Sequence, residues 1–466
     1  MATNKKKQKN DEATDVESKE EELLKDPNWV DKAIGRAKPI ELTEYEKELA
    51  NLLVELAYKN SESNSSPLGY SLAAAFDLFV AAGYYKNITP KEKKKKTSEE
   101  KKKTSEEKKM SEGWLYCSNP NASPLLIYPY TNTCPLCVLN GEFHFHPAKK
   151  PESGTIGSIT QNSLGVFLTC LFERNNQRLE VRCGHRYDPM DIIIEDKQNN
   201  NIVLMGEVKA APLTTLALAV QCDAQLGQNA EGKVVNHKPQ SLENSFLAQS
   251  EFYLLLPQLE GSKWKPELIS LGVKNNEPIE EWVYRQLFRV FSEDKKLFGR
   301  YFQFWEKAFV AYTRSEWIKD SDPDPVYWLT NGCGVPPNPE SKNWPKREKG
   351  DSYKSVSDGK TSVGMDRTDD IKKGICQVLI IGASSAKLKS KRTVKTALLS
   401  NIHAVRHYDA YIKDLEDIVW TKTGNQIITK ASQLPSDQDM YNLCDGIISF
   451  TKIYARDQWI IDNFKF

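Results

Sequence analysis

The chain has 466 residues, 39% hydrophobic and 27% charged, with 64 Lys and Arg against 63 Asp and Glu for a formal net charge of +1. A near-neutral whole excludes neither a polyanionic partner nor a small substrate, so local clusters of charge carry the argument. Nine cysteines are too sparse for a disulfide scaffold, no stretch approaches the roughly 18 apolar residues of a membrane span, and the basic N-terminus lacks a secretion signal's apolar segment, so a cytoplasmic protein with no membrane partner is expected.

Residues 1–26 mix both charges with almost no large apolar side chains and read as a flexible charged tail. An N-terminal helical region follows over 27–88. There ELTEYEKELANLLVELAYKN sets Tyr45, Leu49, Leu52, Leu53 and Leu56 on one helical stripe behind a Thr43/Glu46 capping box, and LGYSLAAAFDLFVAAGYY predicts a second helix. Residues 89–111 form a low-complexity charged insertion in which KKKTSEE occurs twice in tandem. With nothing on it that could pack, it reads as a solvated loop. The segment 112–150 holds Cys134-x2-Cys137, with Cys117, His144 and His146 nearby and Cys183 and His185 further on. Two thiolates at that spacing suit a structural Zn²⁺ whose remaining ligands come from those side chains; the alternative is two free cysteines in a turn.

From 151 onward, TIGSITQNSLGVFLTCLFER predicts a helix and QRLEVRCG a strand, and two apolar runs over 191–209 predict two more strands. EFYLLLPQ and ICQVLIIGAS predict buried strands, and PIEEWVYRQLFRVFSEDKKLFGRYFQFWEKAFVAYT predicts a long helix or helix pair broken at Gly299. Residues 320–365 predict an extended loop, in which Asn331, Lys342, Asn343, Lys346 and Arg347 are residue types that read base edges. A long helix is expected from about Thr393 to Trp420, and a strand over GIISFTKIYA. SSAKLKSKRTVKTAL gathers Lys387, Lys389, Lys391, Arg392 and Lys395 and is expected to open that long helix. Cations at a helix start oppose its dipole, so nucleic-acid phosphate is the expected compensation, with a solvated basic loop as the competing account. IIGASS matches neither GxGxxG nor a P-loop, so no nucleotide cofactor is expected.

RYDPMDIIIEDKQNNNIVLMGEVKAAP, residues 186–212, predicts a hairpin whose turn is KQNNN, because Asn-rich polar runs accept tight connections. That register pairs Asp196 with Ile202, Glu195 with Val203, Ile193 with Met205 and Asp191 with Glu207, and strand alternation puts Lys209 on the face of both acids. Like charges facing each other across a sheet cost roughly 0.2 to 1 kcal/mol. Hard carboxylate oxygens suit Mg²⁺, and Lys209 suits orienting a water or stabilising a phosphorane-like transition state. Glu-x-Lys also occurs at Glu99–Lys101, Glu106–Lys108 and Glu340–Lys342, all in charged loops; only Glu207 closes an apolar β-run behind an acid that opens another.

Asp191, Glu207 and Lys209, on consecutive strands behind a helix, resemble the PD-(D/E)XK nuclease superfamily. Its members carry an acid at the start of one core strand and Glu-x-Lys on the next. Pro189 stands one residue earlier than in the family's Pro-Asp, and Asp188 is the alternative acid; Asp191 is preferred because Ile192, Ile193 and Ile194 follow it directly. The resemblance covers residues 155–225, and within the superfamily the chain looks most like a type II restriction endonuclease, the ApaLI-like group being one candidate. It implies an α/β fold, a mixed central sheet flanked by helices, so that 151–466 becomes a nuclease core with helical and loop insertions and a basic C-terminal part. It also implies Mg²⁺ held by Asp191 and Glu207, Lys209 as the third catalytic residue, and cleavage of double-stranded DNA at a short palindrome by a homodimer. Glu180 and Gln221 are weighed as further site residues. The alternatives are a structure-selective repair or recombination nuclease and a non-catalytic zinc-stabilised DNA-binding protein.

Overall fold

The computed structural model describes residues 20, 22–85, 114–116, 125–131, 133–140, 151, 153–185, 187–199, 201–221, 226–228, 234–236, 244–275, 277–313, 324–332, 363–366, 368–385, 392–417, 419–421, 427–428, 440–441 and 444–466. In chain order, α1 is Trp29–Arg36, β1 Lys38–Pro39, α2 Glu44–Asn64, α3 Leu68–Tyr85, β2 Leu115–Tyr116, β3 Leu125–Tyr128, α4 Ser153–Arg174, β4 Leu179–Cys183, β5 Ile192–Asp196, β6 Ile202–Val208 and β7 Ala217–Gln221. Then come β8 Glu251–Glu260, β9 Lys263–Val273, α5 Ile279–Glu293, α6 Leu297–Thr313, α7 Thr368–Ser385, β10 Thr393–Ser400, β11 Gly446–Ser449 and β12 Ile453–Ala455. The chain divides into two compact units, each assembled from separated stretches: 1–43, 160–211 and 364–466 form the first, 44–159 and 212–363 the second. This interleaving replaces the expected run of consecutive segments ending in one region over 151–466.

The first unit is mixed α/β, built on a seven-stranded sheet in the order β1-β4-β5-β6-β10-β11-β12. From β1 to β6 neighbours are antiparallel, β6, β10 and β11 are parallel, and β12 returns antiparallel. Ile192, Ile193 and Ile194 are all fully buried, because alternate strand residues face opposite ways and both faces of this sheet are covered. On one face Ile193, Val203 and Met205 pack with Trp29, Val30, Ala33 and Ile34 of α1 and with Ile381 of α7. On the other lies α4, where a Cβ at Gly165 would fall 2.6 Å from Ile40 Cδ1 and 3.8 Å from Ile192 Cδ1. Leu23 is buried in the α1 cluster, so packed structure reaches into the stretch 1–26 that was expected to be a tail.

The second unit carries a five-stranded antiparallel sheet, β9-β8-β7-β3-β2, with α2, α3, α5 and α6. Asp77 of α3, a fully buried acid there, is satisfied: Oδ2 accepts from Leu213 N at 2.9 Å, Thr214 N at 3.0 Å and Trp305 Nε1 at 2.8 Å. The break between α5 and α6 falls at Asp294, whose carboxylate accepts from Lys296 N, and Gly299 sits inside α6. Pro325–Leu329 is a 3-10 helix with Tyr327 and Trp328 fully buried, where extended loop was expected.

Three expectations are reversed. ICQVLIIGAS is helical, within α7, and TVKTALLS is strand β10, not the start of a long helix. Short apolar runs fit a buried strand and a buried helix equally well, so periodicity cannot separate them; β10 is settled by pairing with β6 on one side and β11 on the other. GIISFTKIYA is a hairpin of two strands, β11 and β12, not one strand. Among the described residues, no helix is long and apolar enough to cross a membrane. The charged insertion 89–111 lies outside the described residues.

Candidate active site

Asp191 immediately precedes β5, Glu207 lies near the end of β6, and Lys209 follows one residue beyond that strand. The ladder runs Glu195↔Val203, Ile194↔Leu204, Ile193↔Met205 and Ile192↔Gly206, which is the expected register around the expected turn at 197–201. Pairing stops there, and Asp191 and Glu207 are not a ladder pair. Asp191 instead sits in a bend, its N–H donating to Gly206 O at 3.0 Å while its Oδ2 accepts from Val208 N at 2.9 Å. The side chain thus supplies the acceptor that an extended β5 would have offered to Val208, which draws the carboxylate to the end of β6. The carbonyl of Asp191 is held from two sides, by Gln161 Nε2 of α4 at 2.8 Å and Gly184 N at 2.9 Å. A Cβ at Gly184 would lie 2.0 Å from Met190 O, so a residue without a side chain is required for that approach.

On its other side β6 pairs with β10: Glu207 is the register partner of Leu398, and Lys209 N donates to Leu399 O at 2.9 Å. Lys209 Nζ donates to Glu207 Oε1 and to Val208 O, the latter at 3.2 Å, and stands 3.9 Å from Asp191 Oδ2. The side chains of Asp191, Glu207 and Lys209 are 30%, 12% and 18% exposed. Burial, with the charge of Asp191 added, pushes the Glu207 carboxyl up to about 8 despite the lysine beside it. Burial opposes the charge of Lys209, but Glu207 and Asp191 outweigh it, with Asp370 of α7 adding to their field, and its pKa stands above the usual lysine value. Two carboxylates and one ammonium leave one surplus negative charge in a mostly dry place, the condition under which a carboxyl keeps its proton or gains a cation.

The alternative acid, Asp188, has other work. Its side chain is fully buried, its Oδ1 pairs with Arg36 of α1 at 2.5 Å, and its Oδ2 accepts from His185 N at 3.4 Å. Asp188→Ala, which removes the acceptor of both Arg36 and His185 N, is expected to weaken folding by roughly 1 to 2 kcal/mol, less than a fully buried pair would lose because Arg36 is partly exposed. Urea unfolding measures this, and an unchanged midpoint would show that the pair holds nothing.

Glu180 lies at the far end of the ladder, opposite Glu195, and is paired with Arg182 and Lys197. Glu195 stands four positions along the strand from Asp191, which puts Glu180 about 13 Å from it, outside the group. Gln221 closes β7, in the second unit. Of the basic cluster, Lys387, Lys389 and Lys391 lie outside the described residues. Arg392 donates to Asp31 at 2.8 Å and Glu195 at 3.1 Å, and Lys395 to Asp457 at 2.5 Å. This stretch opens a strand, so the helix-dipole argument for a phosphate partner fails, and carboxylates of the same unit offset both described cations. Asn331 is buried, donating from its backbone to Leu213 O at 2.7 Å, and so is not presented to a groove; Lys342, Asn343, Lys346 and Arg347 lie outside the described residues.

Cys134 and Cys137 flank the first turn of a short helix, Pro135–Leu139, both buried and neither in a disulfide. Cys117, His144 and His146 lie outside the described residues, and Cys183 and His185 belong to the first unit. Among the described residues no three His, Cys, Asp or Glu side chains gather as a metal site. Comparison of the chain with protein-family models, with curated proteins and with solved structures returns no match.

Proposed function

We propose that this chain is a metal-dependent nuclease with a restriction-endonuclease-like core in its first unit, a cytoplasmic type II enzyme that hydrolyses double-stranded DNA at a short specific sequence. The observation that carries the reading is the trio itself: two carboxylates with a surplus negative charge, at the end of a central strand, with a charged lysine hydrogen-bonded to one of them. An acid entering β5, Glu-x-Lys ending β6 and a helix ahead of both support the family likeness. The choice of a type II enzyme, a palindromic target and a homodimer come with that likeness.

The donor set fits Mg²⁺. Asp191 and Glu207 offer hard oxygens, and the burial and the Asp191 charge that raise the Glu207 carboxyl make a setting that a cation would relieve. Bound there, the ion would supply Lewis acidity toward a phosphodiester oxygen and neutralise charge growing on the phosphate. The protein's own part is positional. Val208 N fixes the Asp191 carboxylate, and Glu207 and the Val208 carbonyl fix the Lys209 ammonium, which can then stabilise a phosphorane-like oxygen or orient the attacking water.

Incubation with mixed-sequence plasmid DNA and Mg²⁺ is expected to give discrete fragments. Smearing or junction-dependent cuts would point to a nuclease that selects DNA structure, and intact DNA would leave a binding protein.

A further inference from the structure

Gly374 is buried within α7, an 18-residue helix, where glycine is less favourable than alanine. It is not among the glycines at positive φ, so conformational freedom does not explain it. Space does. A Cβ at Gly374 would fall 3.1 Å from Lys209 Cγ, 3.4 Å from Lys209 Cε and 2.9 Å from Leu398 Cδ1. The stem of Lys209 therefore lies where a side chain of α7 would otherwise be, with its ammonium against Glu207 and Val208 O. Asp370, one turn earlier and on the same helical face, adds negative field at that ammonium.

We propose that Gly374 is a positioning residue for Lys209: its missing side chain is the seat of the lysine stem and sets where the ammonium stands relative to Glu207. A free lysine side chain samples many rotamers, and a seat formed by packing removes that freedom before substrate arrives. In its kinetic consequence the inference rests on the nuclease reading; in its geometry it does not.

The test is Gly374→Ala in the full chain. Alanine favours the helix, and the crowded atoms belong to flexible side chains, so the melting temperature should hold or rise. The added methyl displaces Lys209, and kcat on plasmid DNA with Mg²⁺ should fall about 10- to 100-fold with KM changed little, a size in keeping with sub-ångström misplacement of a catalytic group. Adding Leu398→Val, which removes the atom at 2.9 Å, should restore part of the rate. Independently, acylation of the Lys209 amine by an N-hydroxysuccinimide ester, followed by peptide mass spectrometry, should run several-fold faster in Gly374→Ala. Unchanged labelling overturns the inference, as does faster labelling with unchanged kcat. If the wild-type protein cuts no DNA, the nuclease reading falls and labelling alone decides the seat.

Discussion

Removal of any one of Asp191, Glu207 and Lys209 is expected to lower DNA cleavage by roughly a thousandfold or more, the scale seen when a ligand of a catalytic cation or a transition-state charge is lost. The substitutions need choosing with the geometry in view. Asp191→Ala also removes the acceptor of Val208 N and would loosen the end of β6, so Asp191→Asn, which keeps an oxygen there, is the cleaner variant. Glu207→Gln keeps an oxygen for Lys209. Lys209→Met keeps the stem that packs against Gly374. At about pH 5, where Glu207 keeps its proton, all three should unfold near the wild-type midpoint. Retained cleavage in any one of them would remove that residue from the mechanism.

The second large effect is on stability and runs the other way. Glu207 has a folded-state pKa of about 8, above that of a free glutamate, because burial and Asp191 disfavour its charge. A group whose pKa rises on folding contributes fully below its unfolded pKa and loses that contribution as pH rises through the folded one. The metal-free protein should therefore lose stability between about pH 4.5 and pH 8, by an amount on the order of a few kcal/mol. Glu207→Gln has no such group, so at pH 9 it should be the more stable protein even though it is expected to be inactive. Millimolar Mg²⁺ should raise the wild-type melting temperature at that pH by mass action and leave Glu207→Gln nearly unmoved. Thermal melts from pH 5 to pH 9, with and without Mg²⁺, read both effects. If the two proteins keep the same pH dependence, or Mg²⁺ shifts them equally, Asp191 and Glu207 do not share a cation.

Short-range rules bring Glu207 and Lys209 together at the end of β6. The Asn-rich turn at 197–201 fixed the register of β5 against β6, and alternation then put Glu207 and Lys209 together. The same rules misplaced Asp191 slightly: a ladder extrapolated by one residue cannot see that a side chain will take over the backbone's hydrogen bond. They also left Asp188 as a rival, since its partner Arg36 is 152 residues away.

By itself the sequence determined the hairpin, its register and the meeting of Glu207 with Lys209, along with α2, α3, α4 and β8, because turn chemistry and amphipathic period act over a few residues. Tertiary structure decided the rest. TVKTALLS became a strand and ICQVLIIGAS a helix because an available edge of β6 and a covered face, not composition, distinguish two equally apolar runs. Arg392 and Lys395 found Asp31, Glu195 and Asp457 only once distant stretches were brought together. The space left by Gly374 acquired its meaning in the same way, when α7 settled over the end of β6 and Lys209 came to lie in it.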